Sequence, residues 1–102
     1  MPNSWKYKII KVPGVFEIPV TISKNIKKYD GFIALGCVIK GETPHFDFIS
    51  LAVTNGIMTL SIDHKKPVGN GIITALNKDQ ASNRSIKKGE EAAAAVFSVL
   101  SK

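Results

Sequence analysis

The spacing of apolar residues along the chain changes repeatedly between the period of a strand and the period of a helix. Alternation over residues 5–12, ended by a Pro-Gly turn, predicts a first strand. The almost unbroken apolar run at residues 32–39 predicts a parallel strand covered on both faces. A third strand is predicted over residues 67–74, where Gly69 and Gly71 permit close approach of another backbone or a ligand.

Apolar residues at three- and four-residue spacing predict helices after each strand. Residues 16–26 carry one such stripe, formed by Val15, Ile18, Ile22 and Ile26. Residues 46–63 carry a second, formed by Phe46, Ile49, Val53, Ile57 and Leu60. A short polar helical stretch follows the third strand, and a last helix at residues 89–100 aligns Ala92, Val96 and Leu100. The order β-α-β-α-β-α predicts an α/β fold with a parallel sheet covered by helices.

Length and composition restrict the class of protein. The 102 residues, 44% hydrophobic and 22% charged, fit one folded domain with a thin core. The apolar runs are too short to cross a bilayer, and residues 1–8 lack the apolar region of a signal peptide, so a cytoplasmic location is expected. Cys37 is the only cysteine, which excludes an internal disulfide, and we expect it to be a small buried core residue.

The net charge of +6 comes mainly from scattered lysines, and Arg84 is the only arginine. Nucleic-acid-binding domains normally carry a clustered basic patch, often with aromatic residues between the basic ones. We therefore expect no nucleic-acid partner and no membrane partner. Attraction of a phosphorylated small molecule accounts for the charge, and a generic binder of phosphorylated metabolites or nucleic acid is the weaker alternative.

Ligands of parallel α/β sheets bind beyond the carboxyl ends of the strands. After the second predicted strand, Lys-Gly-Glu-Thr-Pro-His at residues 40–45 combines a glycine, a polar turn and a helix start. Free backbone N–H groups and the helix dipole converge at such a point, so an anion, most plausibly phosphate, would be held there. His45 lies beside this turn, and an imidazole with an ordinary pKa of about 6.5 suits proton transfer. A surface or capping histidine is the alternative for His45.

Three further polar residues have both a functional and a structural interpretation. Glu17 opens a helix, where the dipole alone favours a carboxylate. Arg84 offers a planar, bidentate grip on phosphate that lysine lacks, but it is equally compatible with a solvated surface position. His64 lies beside two lysines at a helix end and is expected to be structural. With no metal-ligand, P-loop or dinucleotide motif present, the residues alone indicate a phosphorylated small-molecule ligand.

Three segments taken together closely resemble the lumazine synthase family, which makes 6,7-dimethyl-8-ribityllumazine in riboflavin biosynthesis. They are VPGVFEIP at residues 12–19, ALGCVIKGETPHFD at residues 34–47 and KGEEA at residues 88–92. The resemblance implies a three-layer α-β-α, flavodoxin-like fold. It also implies a transferase that condenses 5-amino-6-(D-ribitylamino)uracil with 3,4-dihydroxy-2-butanone 4-phosphate, releasing phosphate and water, without a metal or organic cofactor.

The resemblance also assigns roles to individual positions. It implies that Gly41, Glu42 and Thr43 hold the phosphate together with Arg84, and that His45 transfers protons. Pyrimidine and ribityl contacts are implied for Phe16, Glu17, Val38, Ile39 and Lys88. Family active sites lie between subunits of a pentamer, sometimes built into a larger shell, and Asn70 matches a position that reaches across from the neighbouring subunit.

Two departures from the family limit this transfer. Family members normally begin with a further strand and helix, so residues 1–102 are expected to be one amino-terminally truncated domain whose first strand lacks its sheet neighbour. Unpaired backbone groups there would each cost about 1 to 3 kcal/mol. The connection from Arg84 to Lys88 is also shorter than in many relatives. A non-catalytic relative that serves as an assembly or phosphometabolite-binding subunit is therefore the alternative function.

Overall fold

The computed structural model describes residues 5–40 and 45–102, with His45 and Phe46 described through their backbone alone. A short 3-10 turn, Val15–Glu17, leads into the first helix. The elements that follow are α1 Ile18–Asn25, β1 Phe32–Ile39, α2 His45–His64, β2 Val68–Ala75 and α3 Lys78–Leu100. None of the helices in the described ranges is long and apolar enough to cross a membrane.

The two strands form a parallel sheet whose register runs from Phe32 opposite Val68 to Ile39 opposite Ala75. Helices α1 and α2 cover one face of this sheet, and α3 covers the other, chiefly over β2. The arrangement is a three-layer α-β-α fold of the flavodoxin-like type, which confirms the predicted fold class.

The core between α1, α2 and β1 is built from the apolar stripes that the sequence predicts. Its buried members are Ile18, Ile22, Ile26, Ala34 and Ile57, with Val12, Val15, Phe32, Leu60, Val68 and Ile72 packed against them. Isoleucine on a helix stripe buries a large branched side chain, and each fully buried one stabilises the fold by about 1.5 to 3 kcal/mol. These contacts fix α1 and α2 on the same face of the sheet.

On the opposite face, α3 approaches β2 so closely that only glycine fits beneath it. A Cβ atom on Gly69 would lie 2.3 Å from the carbonyl oxygen of Ala92, and one on Gly71 would lie 2.6 Å from Cδ2 of Leu35. Ala92 and Val96 are buried in this contact, as their shared helix face predicts. The expectation that a strand glycine admits another backbone is confirmed at Gly69, where that backbone is α3, whereas the Leu35 side chain of β1 lies closest to Gly71.

The end of α2 is tied to the end of α1. Lys65 adopts a left-handed conformation with φ of 55°, and the N–H of Lys66 donates to the carbonyl of Ser61, as in a Schellman motif. The Lys66 ammonium in turn donates to the carbonyl of Ile26. A cation at a helix carboxyl end satisfies a free carbonyl and complements the dipole. These bonds place β2 in line with β1.

The predicted first strand is wrong. Residues 5–12 form no regular secondary structure, and Tyr7 and Ile9 are exposed. Trp5 packs instead against Phe97 of α3, with ring centroids 4.6 Å apart in an edge-to-face arrangement. A strand exists only through hydrogen bonds to a neighbour, and no described strand lies beside residues 5–12. Alternation in the sequence therefore identifies a segment that could join a sheet. It does not show whether a partner strand is present.

The prediction that β1 is covered on both faces is also wrong. Ile33, Leu35 and Ile39 are 39%, 60% and 42% exposed, and Cys37, expected in the core, is exposed as well. These four side chains point to the α3 side of the sheet, where α3 sits mainly over β2. Within the described residues α3 covers the β1 half of that face only in part, with Gly89 against Leu35, and no strand pairs with the outer edge of β1.

The carboxyl-terminal region forms one helix where a short helical stretch and a separate helix from residue 89 were expected. Helix α3 runs without interruption from Lys78 to Leu100. The last helix was expected to begin near Gly89, but a single glycine inside a helix costs only about 1 kcal/mol and does not by itself end it. Arg84 and Lys88 therefore lie one turn apart on the same helix.

Candidate active site

The carboxyl ends of the two strands meet at one edge of the sheet. The N–H of Lys40, just beyond β1, donates to the carbonyl of Ala75 at 2.8 Å and extends the ladder by one residue. Helices α2 and α3 each begin a few residues after the strand that precedes them, at His45 and Lys78. Helix amino termini carry free N–H groups and partial positive charge, so this edge favours an anion.

The amino terminus of α3 is fixed by two reciprocal hydrogen bonds. The Asn77 side chain accepts from the N–H of Gln80, and Gln80 Oε1 accepts from the N–H of Leu76, each at 2.9 Å. This is a variant of the capping box. The sequence analysis missed it, although Asn77 with a glutamine three residues later was the signal that could have placed the helix start.

Arg84 lies one and a half turns into α3 and reaches back to the sheet edge. Its Nη1 atom donates to the carbonyl of Thr74 at 3.2 Å. Thr74 pairs with Val38 in the register of the sheet, so the guanidinium lies near the end of both strands. The guanidinium is exposed, and its remaining donors can take a bidentate phosphate.

The candidate residues near α1 lie next to β1, on the face of the sheet opposite α3. Val15 precedes Phe16 and Glu17 and packs closely against Gly36. A Cβ on Gly36 would lie 2.5 Å from Cγ1 of Val15. Phe16 is 61% exposed, whereas Glu17 is half-buried. The 3-10 turn thus presents an aromatic ring and a carboxylate next to the second half of β1.

The last residues of β1 complete this neighbourhood. Val38 is half-buried on the α1 side, and Ile39 is 42% exposed on the opposite side. Both lie at the carboxyl end of the strand, opposite Thr74 and Ala75. Each offers apolar surface at this edge, on its own face of the sheet.

The predicted phosphate turn lies largely outside the described residues. Gly41, Glu42 and Thr43 belong to that part of the chain, as does the His45 side chain, and the backbone of His45 begins α2. His64, expected to be structural, is exposed at the other end of α2.

Two predicted residues are not brought to this edge within the chain. Lys88 follows Arg84 by one helical turn, which places it about 6 Å further along α3 and away from the strand ends. Asn70 pairs with Ala34 and precedes Thr74 by about 13 Å along β2. Its side-chain oxygen accepts from the N–H of Ile72 at 3.0 Å, so part of its hydrogen-bonding capacity is used within its own strand.

The arrangement combines positive charge, free backbone N–H groups and apolar surface at the carboxyl edge of a parallel sheet. Arg84 and Lys40 carry the charge, the two helix starts supply donors, and Val38, Ile39 and Phe16 supply apolar surface. Such an edge suits a ligand with both a phosphate and a ring. The fold and this edge together define an α/β protein with a candidate site for a phosphorylated small molecule.

Comparison with known proteins gives the family. The family model of 6,7-dimethyl-8-ribityllumazine synthase matches residues 2–102. The chain belongs to this family, which confirms the resemblance that the sequence motifs indicate.

Individual relatives agree with the family match. The 6,7-dimethyl-8-ribityllumazine synthase of Corynebacterium kroppenstedtii is 46% identical over 76% of this chain and 48% of its own length. Those of Afipia carboxidovorans and Nitratidesulfovibrio vulgaris are 41% and 45% identical over 92% and 87% of this chain, and over 64% and 61% of their own lengths. The chain thus spans about half to two thirds of the length of these relatives.

Proposed function

We propose that this chain carries the phosphate-handling part of a 6,7-dimethyl-8-ribityllumazine synthase. The reaction condenses 5-amino-6-(D-ribitylamino)uracil with 3,4-dihydroxy-2-butanone 4-phosphate and releases phosphate and water. The observation that carries the proposal is the position of Arg84, held on the carbonyl of Thr74 at the carboxyl edge of the sheet. Family membership over residues 2–102 supplies the identity of the substrates.

In this proposal each of the two substrates contacts its own set of residues at this edge of the sheet. Arg84 and the turn Gly41, Glu42 and Thr43 bind the butanone phosphate, because guanidinium and backbone N–H groups are good phosphate donors. His45 moves protons between the reacting amine, the carbonyl and the leaving phosphate. Glu17 accepts hydrogen bonds from ribityl hydroxyls.

The remaining candidate residues contact the pyrimidine or complete the site from another subunit. Phe16, Val38 and Ile39 provide apolar surface, and Lys88 offers an ammonium group one turn from Arg84. Asn70 lies away from this edge of its own subunit, as expected of a residue that serves the site of a neighbour. A homo-oligomer, specifically a pentamer or a pentamer-based shell, is part of the proposal.

Several expectations from the sequence belong to the same proposal. The chain acts as one lumazine-synthase-like domain in the cytoplasm, without a metal or organic cofactor and without nucleic-acid or membrane partners. Each remains a prediction.

One structural observation favours a second candidate function. The outer edge of β1 has no strand beside it among the described residues, and the exposed Leu35 and Cys37 lie next to the site on a face that is covered only in part. A site missing one wall would bind substrate without turning it over. The chain would then be a non-catalytic assembly or phosphometabolite-binding subunit.

Product formation separates the two functions. The rate of ribityllumazine formation is measured for the 102-residue chain, for a form extended by an amino-terminal strand and helix, and for each with His45→Ala. Product that depends on His45 supports the synthase. Tight binding of a substrate analogue with no product from either form supports the non-catalytic subunit.

A further inference from the structure

Two pairs of lysines that lie far apart in the sequence are brought together at one end of the fold. Lys27 and Lys28 follow the end of α1, and Lys65 and Lys66 follow the end of α2. The Lys66 ammonium donates to the carbonyl of Ile26, and this bond joins the two helix ends. Lysines that are scattered along the sequence therefore form a cluster in the fold.

The group, here called the lysine cluster, consists of Lys24, Lys27, Lys28, Lys65 and Lys66. Lys24 lies in the last turn of α1 and adds a fifth cation to the two pairs. Lys66 is half-buried, and the other four side chains are exposed. The cluster therefore has a fixed centre, where Lys66 holds the Ile26 carbonyl, and exposed ammonium groups around it that can meet a ligand.

The lysine cluster lies at the end of the sheet opposite the candidate active site. Helices α1 and α2 lead into β1 and β2, whose first residues, Phe32 and Val68, lie opposite each other. The N–H of Phe32 donates to the carbonyl of Pro67 at 3.0 Å, so both connections reach the same edge. Arg84, held on the carbonyl of Thr74, lies about 20 Å further along the strands. The cluster is therefore separate from the proposed phosphate site.

The positive charge of the cluster exceeds what the two helix ends require. A helix carboxyl terminus carries roughly half a negative charge, so about one lysine balances both ends together. The acidic neighbours are Asp30 and Asp63, both exposed. Five lysines and two aspartates leave a local net charge of +3, which is half of the +6 of the whole chain. Stabilisation of the helix ends alone does not account for this surplus, which favours an anionic partner.

The residue types favour separate carboxylates over a nucleic acid as that partner. The cluster contains no arginine, whose planar guanidinium binds phosphate in a bidentate manner, whereas an ammonium group is a point charge that suits a single carboxylate. Tyr29, an aromatic residue beside the cluster, packs edge-to-face against Phe32 with ring centroids 6.0 Å apart and offers no stacking platform. Asp30 and Asp63 oppose a continuous phosphate backbone, but a peptide can place its carboxylates between them.

We propose that the lysine cluster is a docking surface for an acidic peptide segment of a partner protein. Aspartate and glutamate side chains of that segment pair with the exposed ammonium groups across the junction of α1 and α2. The contact is electrostatic and solvent-exposed, so it is reversible and sensitive to salt. It uses none of the candidate active-site residues, and it therefore stands or falls independently of the enzymatic proposal.

Fluorescence anisotropy of a labelled polyglutamate peptide, titrated with the full chain, tests the surface. We expect saturable binding that weakens at least about tenfold when the ionic strength rises from about 0.01 M to about 0.1 M, because the screening length falls from about 30 Å to about 10 Å. At about 0.1 M, the double variant Lys27→Glu and Lys65→Glu should bind at least about tenfold more weakly, since each change replaces an attraction by a repulsion.

The matched control is the double variant Lys78→Glu and Lys87→Glu, which alters two exposed lysines of α3 and has the same net charge. It should bind within about twofold of the unaltered chain, because charges far from the cluster are screened. Lys27→Arg with Lys65→Arg preserves the charge of the cluster and should preserve the affinity. Far-UV circular dichroism checks that each variant keeps its fold.

Three results would overturn the proposal. The first is absence of peptide binding by the unaltered chain. The second is an equal loss of affinity in the two glutamate double variants, because binding would then follow net charge and not the cluster. The third is single-stranded RNA that binds more tightly than the peptide and is released by Lys27→Glu with Lys65→Glu, because the surface would then serve nucleic acid.

Discussion

The Arg84 guanidinium donates from Nη1 to the main-chain carbonyl of Thr74 across 3.2 Å, which ties α3 to the carboxyl end of β2. The bond uses one donor and leaves the planar fork free for phosphate. We expect Arg84→Lys to raise the KM for the butanone phosphate by roughly 10- to 100-fold, because a single ammonium group cannot serve both partners as well.

Steady-state kinetics with each substrate varied in turn measures this effect. The KM for the ribitylaminouracil should change far less than the KM for the phosphate substrate. Equal changes in both constants, or none, would show that Arg84 has no specific role at the phosphate.

Gly69 and the Ala92 carbonyl make the closest approach between β2 and α3. We expect Gly69→Ala to lower the free energy of unfolding by about 1 to 3 kcal/mol, because its Cβ would lie 2.3 Å from that oxygen. Urea denaturation of the two chains measures the difference. Gly89→Ala is the matched control, since its Cβ meets Leu35 at 3.8 Å and should raise stability by about 0.5 to 1 kcal/mol. Equal effects at the two glycines would refute the close packing of α3.

Asn77 caps the start of α3 by accepting from the N–H of Gln80. Asn77→Ala should lower the free energy of unfolding by about 1 kcal/mol, the usual cost of losing such a cap. Asn83→Ala removes the same amide from an exposed position inside the helix and should leave stability unchanged or slightly higher. Denaturant unfolding measures the free energy of unfolding of both variants. If Asn77→Ala is as stable as Asn83→Ala, α3 does not begin at this cap.

Cys37 lies on the uncovered part of β1 and is exposed. A thiol reagent should therefore modify the native chain at a rate close to that of the unfolded chain, whereas a buried thiol would react only after unfolding. Absorbance of the released chromophore follows the reaction, and Cys37→Ser supplies the blank. Protection of Cys37 in the native chain would mean that this face of β1 is covered.

Most of the fold could be predicted because the helices and the two strands each bury a stripe that is visible in the sequence. Ile18, Ile22 and Ile26 on α1 are one such stripe, and Phe32 and Ala34 on the α1 side of β1 belong to another. The first strand could not be predicted correctly, because alternation at residues 5–12 does not reveal whether a partner strand is present. The exposure of Cys37 could not be predicted either, because coverage of β1 depends on where α3 packs on the sheet.

The candidate site could be predicted in part. The rule that ligands bind at strand carboxyl ends predicts Arg84 near the end of the third predicted strand, which is β2, and the structure puts it on the Thr74 carbonyl. The capping pair Asn77 and Gln80 is visible in the sequence, but a last helix predicted to begin near Gly89 gives the pair no role. The distance of Lys88 from the strand ends depends on α3 being continuous. No local sequence pattern predicts that continuity.

Formation of 6,7-dimethyl-8-ribityllumazine from its two substrates, followed by absorbance, measures the proposed synthase activity itself. We expect product from the chain or from its form extended by an amino-terminal strand and helix. We expect a rate at least about 100-fold lower with His45→Ala, because a proton-transfer group is lost, and an unchanged rate with His64→Ala. Absence of product from both forms, or turnover that survives His45→Ala, would contradict the proposal.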